Sequence, residues 1–201
     1  MNHIKETINF LQEELVAKGS SDRIFATSSF QTQSVPLLHI LSLYFPQVSV
    51  IFLDTGFLFP ETYGFKNSLQ HLFHLKVIEL KSKTNLIQQR DRSTGLLEYS
   101  INTDNCCNMN KVQPLNDFLQ SDDIWISGIR KDQTLNRKEL EPVTIGVNNS
   151  IRLHPMLAWK EEDINEYIST HMLPKHPLDI QGYKSIGCVP CTYKNNGDGR
   201  K

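Results

Sequence analysis

Two pairs of cysteines are the residues whose type and spacing could carry chemistry. Cys106 and Cys107 are adjacent, Cys188 and Cys191 form a CxxC, and the 201 residues hold no further cysteine. Four thiolates can bind one tetrahedral zinc ion, but two adjacent cysteines rarely reach one small ion without distorting the backbone. In an iron–sulfur cubane each thiolate binds a different iron, so adjacent side chains can diverge and both be ligands. The spacing favours a 4Fe–4S cluster if the fold brings the pairs together.

The cysteine pattern also leaves a second interpretation open. One pair can be buried core thiols while the CxxC acts alone as a redox or zinc-binding motif, since neither pair is specific by itself. Zinc can also fill a thiolate site in place of iron. The seven histidines form no recognisable metal-ligand pattern, and the isolated His39, His154 and His176 are interpreted as packing or surface residues rather than catalytic ones.

The elements that must position the cysteines alternate between helices and strands. Residues 1–20 have apolar residues at helical spacing, and Pro60 opens a later helix. Apolar runs at 23–27, 48–53, 76–80 and 124–129 predict strands, residues 151–153 predict an edge strand, and acidic residues at 161–163 open a helix to about residue 170. This alternation predicts one domain over residues 1–201, with a mostly parallel sheet and helices on both faces.

Composition and charge exclude several classes of partner. The net charge is −1, so no global positive field attracts nucleic acid or a membrane surface. The 39% of residues that are hydrophobic are enough for a buried core. No apolar run approaches the roughly 20 residues that cross a membrane, and the first residues lack the regions of a secretory signal. We expect a cytoplasmic protein, in which clustered cysteines are metal ligands or redox groups.

Several segments resemble those of the assimilatory adenylyl-sulfate reductase family. Residues 106–115 (CCNMNKVQPL) and 185–192 (SIGCVPCT) are similar to the two cluster motifs of its bacterial and plant-type members. SSF at 28–30, LDTG at 53–56 with FPET at 59–62, and SGIRKDQ at 127–133 resemble its nucleotide motifs and occur in the family's order. The resemblance therefore extends over residues 28–192.

The resemblance implies a Rossmann-like adenine nucleotide α-hydrolase fold with a nucleotide across the carboxyl ends of the strands. It implies a 4Fe–4S cluster on the four cysteines, with Lys111 between cluster and substrate, and an arginine loop in which Arg137 also falls at a family-like position. The implied substrate-binding residues are Ser28, Ser29, Phe30, Leu53, Gly56, Lys111, Arg130, Gln133 and Arg200, and the implied metal ligands are Cys106, Cys107, Cys188 and Cys191.

The implied activity is the reduction of adenylyl sulfate to sulfite and AMP, with thioredoxin or a similar dithiol as reductant. In the family a further cysteine near the C-terminus attacks the sulfur of the nucleotide, and the dithiol then releases sulfite. This chain has no fifth cysteine, and residues 195–201 resemble the start of the family's tail. We interpret it as a reductase cut before its nucleophile. A natural short form and a nucleophile from another chain are alternatives, and a homo-oligomer stays open.

Three rival functions remain. ATP pyrophosphatases of the same fold use a loop close to SGGxDS, whereas residues 28–34 read SSFQTQS, without the glycine pair and the acidic residue. A non-catalytic iron–sulfur module that binds nucleotides would explain the missing nucleophile. Reductases specific for 3′-phosphoadenylyl sulfate generally lack both cysteine pairs, so the pairs favour the unphosphorylated substrate.

Overall fold

The computed structural model describes residues 2–18 and 23–194. In these residues the six strands are β1 Ile24–Thr27, β2 Ser49–Asp54, β3 Lys76–Lys81, β4 Ile124–Ser127, β5 Val143–Ile145 and β6 Ile151–Leu153. The α-helices of the same residues are α1 Asn2–Ala17, α2 Val35–Tyr44, α3 Pro60–Leu72, α4 Glu98–Ile101, α5 Thr103–Cys107, α6 Gln113–Phe118, α7 Glu161–Thr170 and α8 Pro177–Ile180. The predicted alternation of helices and strands is thus present.

The strands form one sheet in the order β3-β2-β1-β4-β6-β5. All neighbours are parallel except β5 and β6, which are antiparallel. After β3 the chain crosses back to place β4 on the other side of β1. From β1 the chain therefore continues toward one edge of the sheet, and from β4 it continues toward the other edge. The gap between β1 and β4 is the switch point, where open α/β sheets bind ligands beyond their strand ends.

The expectation that residues 151–153 form an edge strand is wrong in one respect. They do form β6, but β6 lies between β4 and β5, and β5 is the edge strand. The return between them is tight, with the Gly146 N–H donating to the Ser150 carbonyl oxygen at 2.7 Å. A three-residue edge strand with partly exposed side chains lacks the apolar run from which the other strands were predicted.

Helices cover both faces of the sheet, as predicted. Alternate residues of β2 point to opposite sides: Val50 and Phe52 join a large core cluster, and Ile51 joins a smaller one. The large cluster includes apolar residues of α1, α2, α3 and α7, and the smaller includes those of α6. In the part of the chain that the structure describes, no helix is both long enough and apolar enough to span a bilayer.

Candidate functional site

A polar cavity of about 310 Å³ lies at the carboxyl ends of β1 and β4. Thr27 and Ser127, the last residues of these strands, are register partners and both line it. We call it the sheet-end cavity, and its lining residues are Thr27, Ser29, Gln31, Gln33, Ser34, Ser127, Gly128, Ile129, Gln133, Arg137 and Ser185. It occupies the switch point of the sheet, at the strand ends across which the family resemblance implies a nucleotide.

The loop after β1 divides its three predicted binding residues between the cavity and the core. Ser29 lines the cavity, and its Oγ accepts a hydrogen bond from Gln31 Nε2 at 3.1 Å. Ser28 Oγ instead accepts from the Phe30 N–H at 3.0 Å. Phe30 has a positive φ of 52° and is fully buried, edge-on to Phe52 with ring centres 5.5 Å apart. Ser28 and Phe30 therefore shape the loop, whereas Ser29 faces the cavity.

The loop after β4 presents Arg137 to the cavity rather than Arg130. Arg130 is 3% exposed, and its guanidinium donates to Asp132 at 2.9 Å and to Gln33 Oε1 at 3.1 Å. Arg137 lines the cavity and donates to Gln133, which itself donates to Gln33 at 3.2 Å. Arg130 holds the loop in place, and Arg137 offers its charge to the cavity.

The two cysteine pairs are far apart in sequence, but all four cysteines line the same second cavity. All four are free thiols. We call this space the cysteine cavity, and its lining residues are Thr55, Phe57, Tyr99, Thr103, Cys106, Cys107, Asn110, Lys111, Cys188, Pro190 and Cys191. Among the described residues, no three or more histidine, cysteine, aspartate or glutamate side chains are arranged to hold a single metal ion. The thiols thus surround a space without converging on one ion.

The first cysteine pair lies where the helical chain changes its winding. α5 ends at Cys107 and continues as a π-helical turn over Asn108–Val112 before α6 begins. π-helical turns are rare in proteins overall, but those that occur are often at functional sites. The turn places buried Asn110 against Cys106, with Nδ2 3.0 Å from its carbonyl oxygen and 3.5 Å from its Sγ. Asn110 also forms a reciprocal pair with buried Gln89, at 3.0 and 2.8 Å.

The second cysteine pair is held by the segment that follows β2. Cys188 pairs with Leu58 in an isolated antiparallel bridge, and the Val189 N–H donates to the Phe57 carbonyl oxygen at 2.7 Å. Thr55 Oγ1 lies 3.2 Å from Cys188 Sγ. Tertiary contacts with the segment after β2 therefore bring the CxxC to the first pair.

The same C-terminal segment joins the two cavities. Ser185 lines the sheet-end cavity, and the next residue, Ile186, donates its N–H to Gln31 Oε1 at 2.9 Å. Cys188 and Cys191 follow within the cysteine cavity. A ligand in the first cavity would thus lie next to the chain that carries the CxxC.

The remaining predicted site residues lie at or near the cysteine cavity, or outside the described residues. Lys111 lines the cysteine cavity. Leu53 is half-buried near the end of β2. Gly56 is exposed and has a φ of +75°, and its N–H donates to Asp54 Oδ1 at 3.0 Å. Neither is among the described residues that line the sheet-end cavity. Arg200 and the predicted tail at 195–201 lie outside the described residues.

Burial and repulsion by neighbouring thiols raise the pKa of Cys106 and of Cys191. Burial raises the pKa of Cys106, the Asn110 hydrogen bond opposes that rise, and the other three thiols add to it. Burial also raises the pKa of Cys191, and Lys111 lowers it. Four thiolates that line one cavity would repel one another. Cations bound between them would therefore stabilise the charged form.

Several residues of the sheet-end cavity were not among the predicted site residues. Thr27 and Ser127 end their strands, and Gln31 and Gln33 follow in the loop after β1. The rule that ligands bind beyond the carboxyl ends of parallel strands could have indicated Thr27 and Ser127. No sequence signal indicated Gln31 and Gln33, because the direction of their side chains depends on contacts with distant segments.

The mostly parallel sheet, the polar cavity at its switch point and the adjacent four-thiol cavity define an α/β protein with an adenine nucleotide α-hydrolase-like fold. Residues 23–194 match the family described as "Phosphoadenosine phosphosulfate reductase domain". The chain belongs to this family, whose members include oxidoreductases that act on sulfur groups.

Similar proteins carry two related names. An "Adenosine 5'-phosphosulfate reductase" of Rhodococcus opacus is 31% identical over 187 residues, covering 90% of this chain and 75% of the relative. A "Phosphoadenosine 5'-phosphosulfate reductase" of Alkalilimnicola ehrlichii is 35% identical over 173 residues, covering 85% and 70%. A phosphoadenylyl-sulfate reductase structure from Candida auris shares the fold, with a TM-score of 0.72, 22% identity and coverage of 96% and 97%. The family resemblance and the fold are therefore confirmed.

Proposed function

We propose that this chain binds adenylyl sulfate in the sheet-end cavity and holds a 4Fe–4S cluster on Cys106, Cys107, Cys188 and Cys191. It would serve the thioredoxin-dependent reduction of adenylyl sulfate to sulfite and AMP in cytoplasmic sulfate assimilation. The observation that carries the proposal is the convergence of all four thiols on one cavity beside a polar cavity at the switch point of the sheet. Neither buried core thiols nor an isolated CxxC would require that convergence.

The residues of the cysteine cavity fit an iron–sulfur cluster. The donor set is four thiols, and polar groups stand next to the sulfurs: Thr55 Oγ1 at 3.2 Å from Cys188 and Asn110 Nδ2 at 3.5 Å from Cys106. Hydrogen bonds of this kind support and tune thiolate-bound clusters. When bound, the cluster supplies a charged centre close to the substrate. Lys111 in the same cavity can couple the charges of cluster and substrate.

The sheet-end cavity suits an acceptor-rich nucleotide. Ser29 in the loop after β1 and Ser34 immediately before α2 supply hydroxyls, and the N-terminus of α2 carries the positive end of the helix dipole. Arg137 supplies a guanidinium, which matches phosphate or sulfate oxygens in a bidentate fork. These groups would bind and orient the phosphosulfate end of the ligand.

The attack on sulfur needs a thiol that does not serve as a cluster ligand. A thiolate would attack the sulfate sulfur, the bond from that sulfur to the AMP oxygen would break, and AMP would leave with the electron pair. The reductant dithiol would then release sulfite and end as a disulfide. All four cysteines of the 201 residues line the cysteine cavity, so none remains for this attack. We therefore expect these residues to bind adenylyl sulfate but to release no sulfite by themselves.

A second candidate substrate is 3′-phosphoadenylyl sulfate. It is favoured by the name of the Alkalilimnicola ehrlichii relative, at 35% identity. Titration of both nucleotides against one preparation separates the candidates. Tighter binding of the 3′-phosphorylated form would replace adenylyl sulfate as the proposed substrate.

The cluster is tested by measuring iron, acid-labile sulfide and zinc on protein purified without oxygen. We expect about four irons and four sulfides per chain, as a cubane requires. Cys188→Ala should lose most of the iron. Ser100→Ala should keep it, because Ser100 is exposed and does not line the cysteine cavity, although it follows the lining residue Tyr99 in sequence. One zinc per chain, or iron that survives Cys188→Ala, would contradict the cluster assignment.

The nucleophile is tested by measuring sulfite release with thioredoxin. The 201 residues should show none, and the same chain carrying the family's cysteine-containing tail should gain it. Sulfite release at ordinary rates by the 201 residues alone would refute the need for a further thiol. No gain from the tail, with nucleotide still bound, would favour a non-catalytic module.

A further inference from the structure

Two hydroxyls at the base of the sheet-end cavity already accept hydrogen bonds from groups that can only donate. Trp125 Nε1 donates to Thr27 Oγ1 at 2.9 Å, and Arg152 Nη2 donates to Ser127 Oγ at 3.2 Å. Indole and guanidinium groups have no acceptor, so the hydroxyl hydrogens must point elsewhere. Within residues 2–18 and 23–194 neither hydroxyl donates to a protein acceptor. Thr27 and Ser127 therefore have hydrogens free for a ligand in the cavity that both line.

Trp125 and Arg152 form one layer beneath these hydroxyls. They are register partners on β4 and β6, and the Arg152 guanidinium lies 4.0 Å from the centre of the Trp125 ring. Stacking holds the guanidinium flat against the indole, which fixes the direction of its donors. The layer lies on the same face of the sheet as the two hydroxyls, because Trp125 and Ser127 are two residues apart on one strand.

Arg152 is a cation without a carboxylate partner in the described part of the chain. None of the ion pairs formed by these residues includes it, and its buried Nε has no hydrogen-bond partner. Burial lowers its pKa, and so does the neighbouring charge of Arg137, which lines the cavity. Two like charges kept together at a cavity are stabilised when an anion enters it. An architectural arginine would be expected to pair with a carboxylate, as buried Arg130 does with Asp132.

We propose that Arg152 is a positioning residue of the sheet-end cavity: with Trp125 it orients the Ser127 and Thr27 hydroxyls as hydrogen-bond donors to the oxygen atoms of a bound adenylate. This inference rests on the proposed function, because it takes the ligand to be an adenine nucleotide. It adds Trp125 of β4 and Arg152 of β6, which lie outside the family motifs.

The proposal is tested by calorimetric titration of AMP into the cluster-loaded protein. Arg152→Gln and Ser127→Ala should each weaken AMP binding about five- to tenfold, the effect of losing one oriented hydrogen bond. In the Arg152→Gln, Ser127→Ala double variant the loss should stay close to that of one single variant, because Arg152 acts through Ser127. Arg152→Lys keeps a charge and a donor but loses the guanidinium plane stacked on Trp125, so it should recover only part of the affinity.

Thr144→Val is the matched control. It removes a hydrogen bond at 3.1 Å from β5 to His154, the residue after β6, but Thr144 lies outside the lining of the cavity, so AMP affinity should not change. Multiplying effects in the double variant would overturn the positioning role. So would unchanged affinity in Arg152→Gln or, if that variant does not fold, in Ser127→Ala. A wild-type chain that binds neither AMP nor adenylyl sulfate would overturn the proposed function itself, which is a different result.

Discussion

Replacing Asn110 by leucine should destabilise the protein strongly, because the side chain is the centre of a buried polar network. It is 2% exposed and forms a reciprocal amide pair with Gln89, which is 3% exposed. It also donates to the Cys106 carbonyl oxygen at 3.0 Å. Leucine has a similar size, so the substitution removes polar contacts without opening a large cavity.

The magnitude follows from the contacts that are lost. The change removes these hydrogen bonds, at about 0.5–1.5 kcal/mol each, and leaves the buried Gln89 Oε1 unsatisfied, at about 1–3 kcal/mol. Burial of the leucine side chain offsets about 2 kcal/mol. We expect a net loss of about 3 kcal/mol of unfolding free energy. Adding Gln89→Leu should recover about 1 kcal/mol or more, because removing both partners leaves no orphaned amide.

The assay is urea unfolding of the reduced, metal-free protein, so that unfolding is not coupled to metal release. A loss of 3 kcal/mol should also lower Tm by about 6–12 °C for a chain of this length. Asn105→Leu, an exposed change in the same helical segment, is the control and should cost less than about 1 kcal/mol. A double variant as unstable as the sum of its single variants would refute the reasoning.

Three further predictions concern pH, charge and backbone. Burial holds the pKa of His154 at about 4, below its ordinary 6.5. Between pH 6.5 and 4 the unfolded chain therefore binds more protons than the folded one, so the unfolding free energy should fall by about 3 kcal/mol as the pH drops through that window. His154→Gln should weaken this dependence of the urea midpoint on pH. Asp123→Asn should cost about 2 kcal/mol in the same assay, since the buried carboxylate accepts from Arg23 at 2.6 and 2.9 Å; an unchanged midpoint would contradict this. Gly56→Ala, at a φ of +75°, should lower stability by about 1 kcal/mol. Gly64→Ala, in α3 with open space around it, should raise stability by a similar amount. Stability changes of the same sign for both variants in thermal unfolding would count against the backbone argument.

The parts of the fold that the sequence predicted well are those with a strong local pattern. The buried strand β2 is nearly all apolar, and Pro60 begins α3 as expected. The edge strand β5 escaped prediction because a short strand paired on one side needs little apolar sequence. Its position depends on the turn that folds it back on β6.

The binding residues show the same division between local pattern and tertiary contact. The sequence motif singled out Arg130, but its guanidinium is occupied by Asp132 and by Gln33 of the loop after β1. Arg137, four residues beyond Gln133, faces the cavity instead. A motif identifies the loop that approaches a ligand, but which side chain of the loop points outward depends on the partners that bury the others.

By itself the sequence determined the family, the class of fold and the identity of the four thiols, because residue types, spacing and motif order are local properties of the chain. Only the tertiary structure decided that both cysteine pairs share one cavity and that Phe30 belongs to the core. Only it placed Arg152 and Trp125 beneath the hydroxyls of the sheet-end cavity. These arrangements depend on contacts between segments far apart in the chain, where the direction of a side chain is set by packing and hydrogen-bond partners that no local pattern contains.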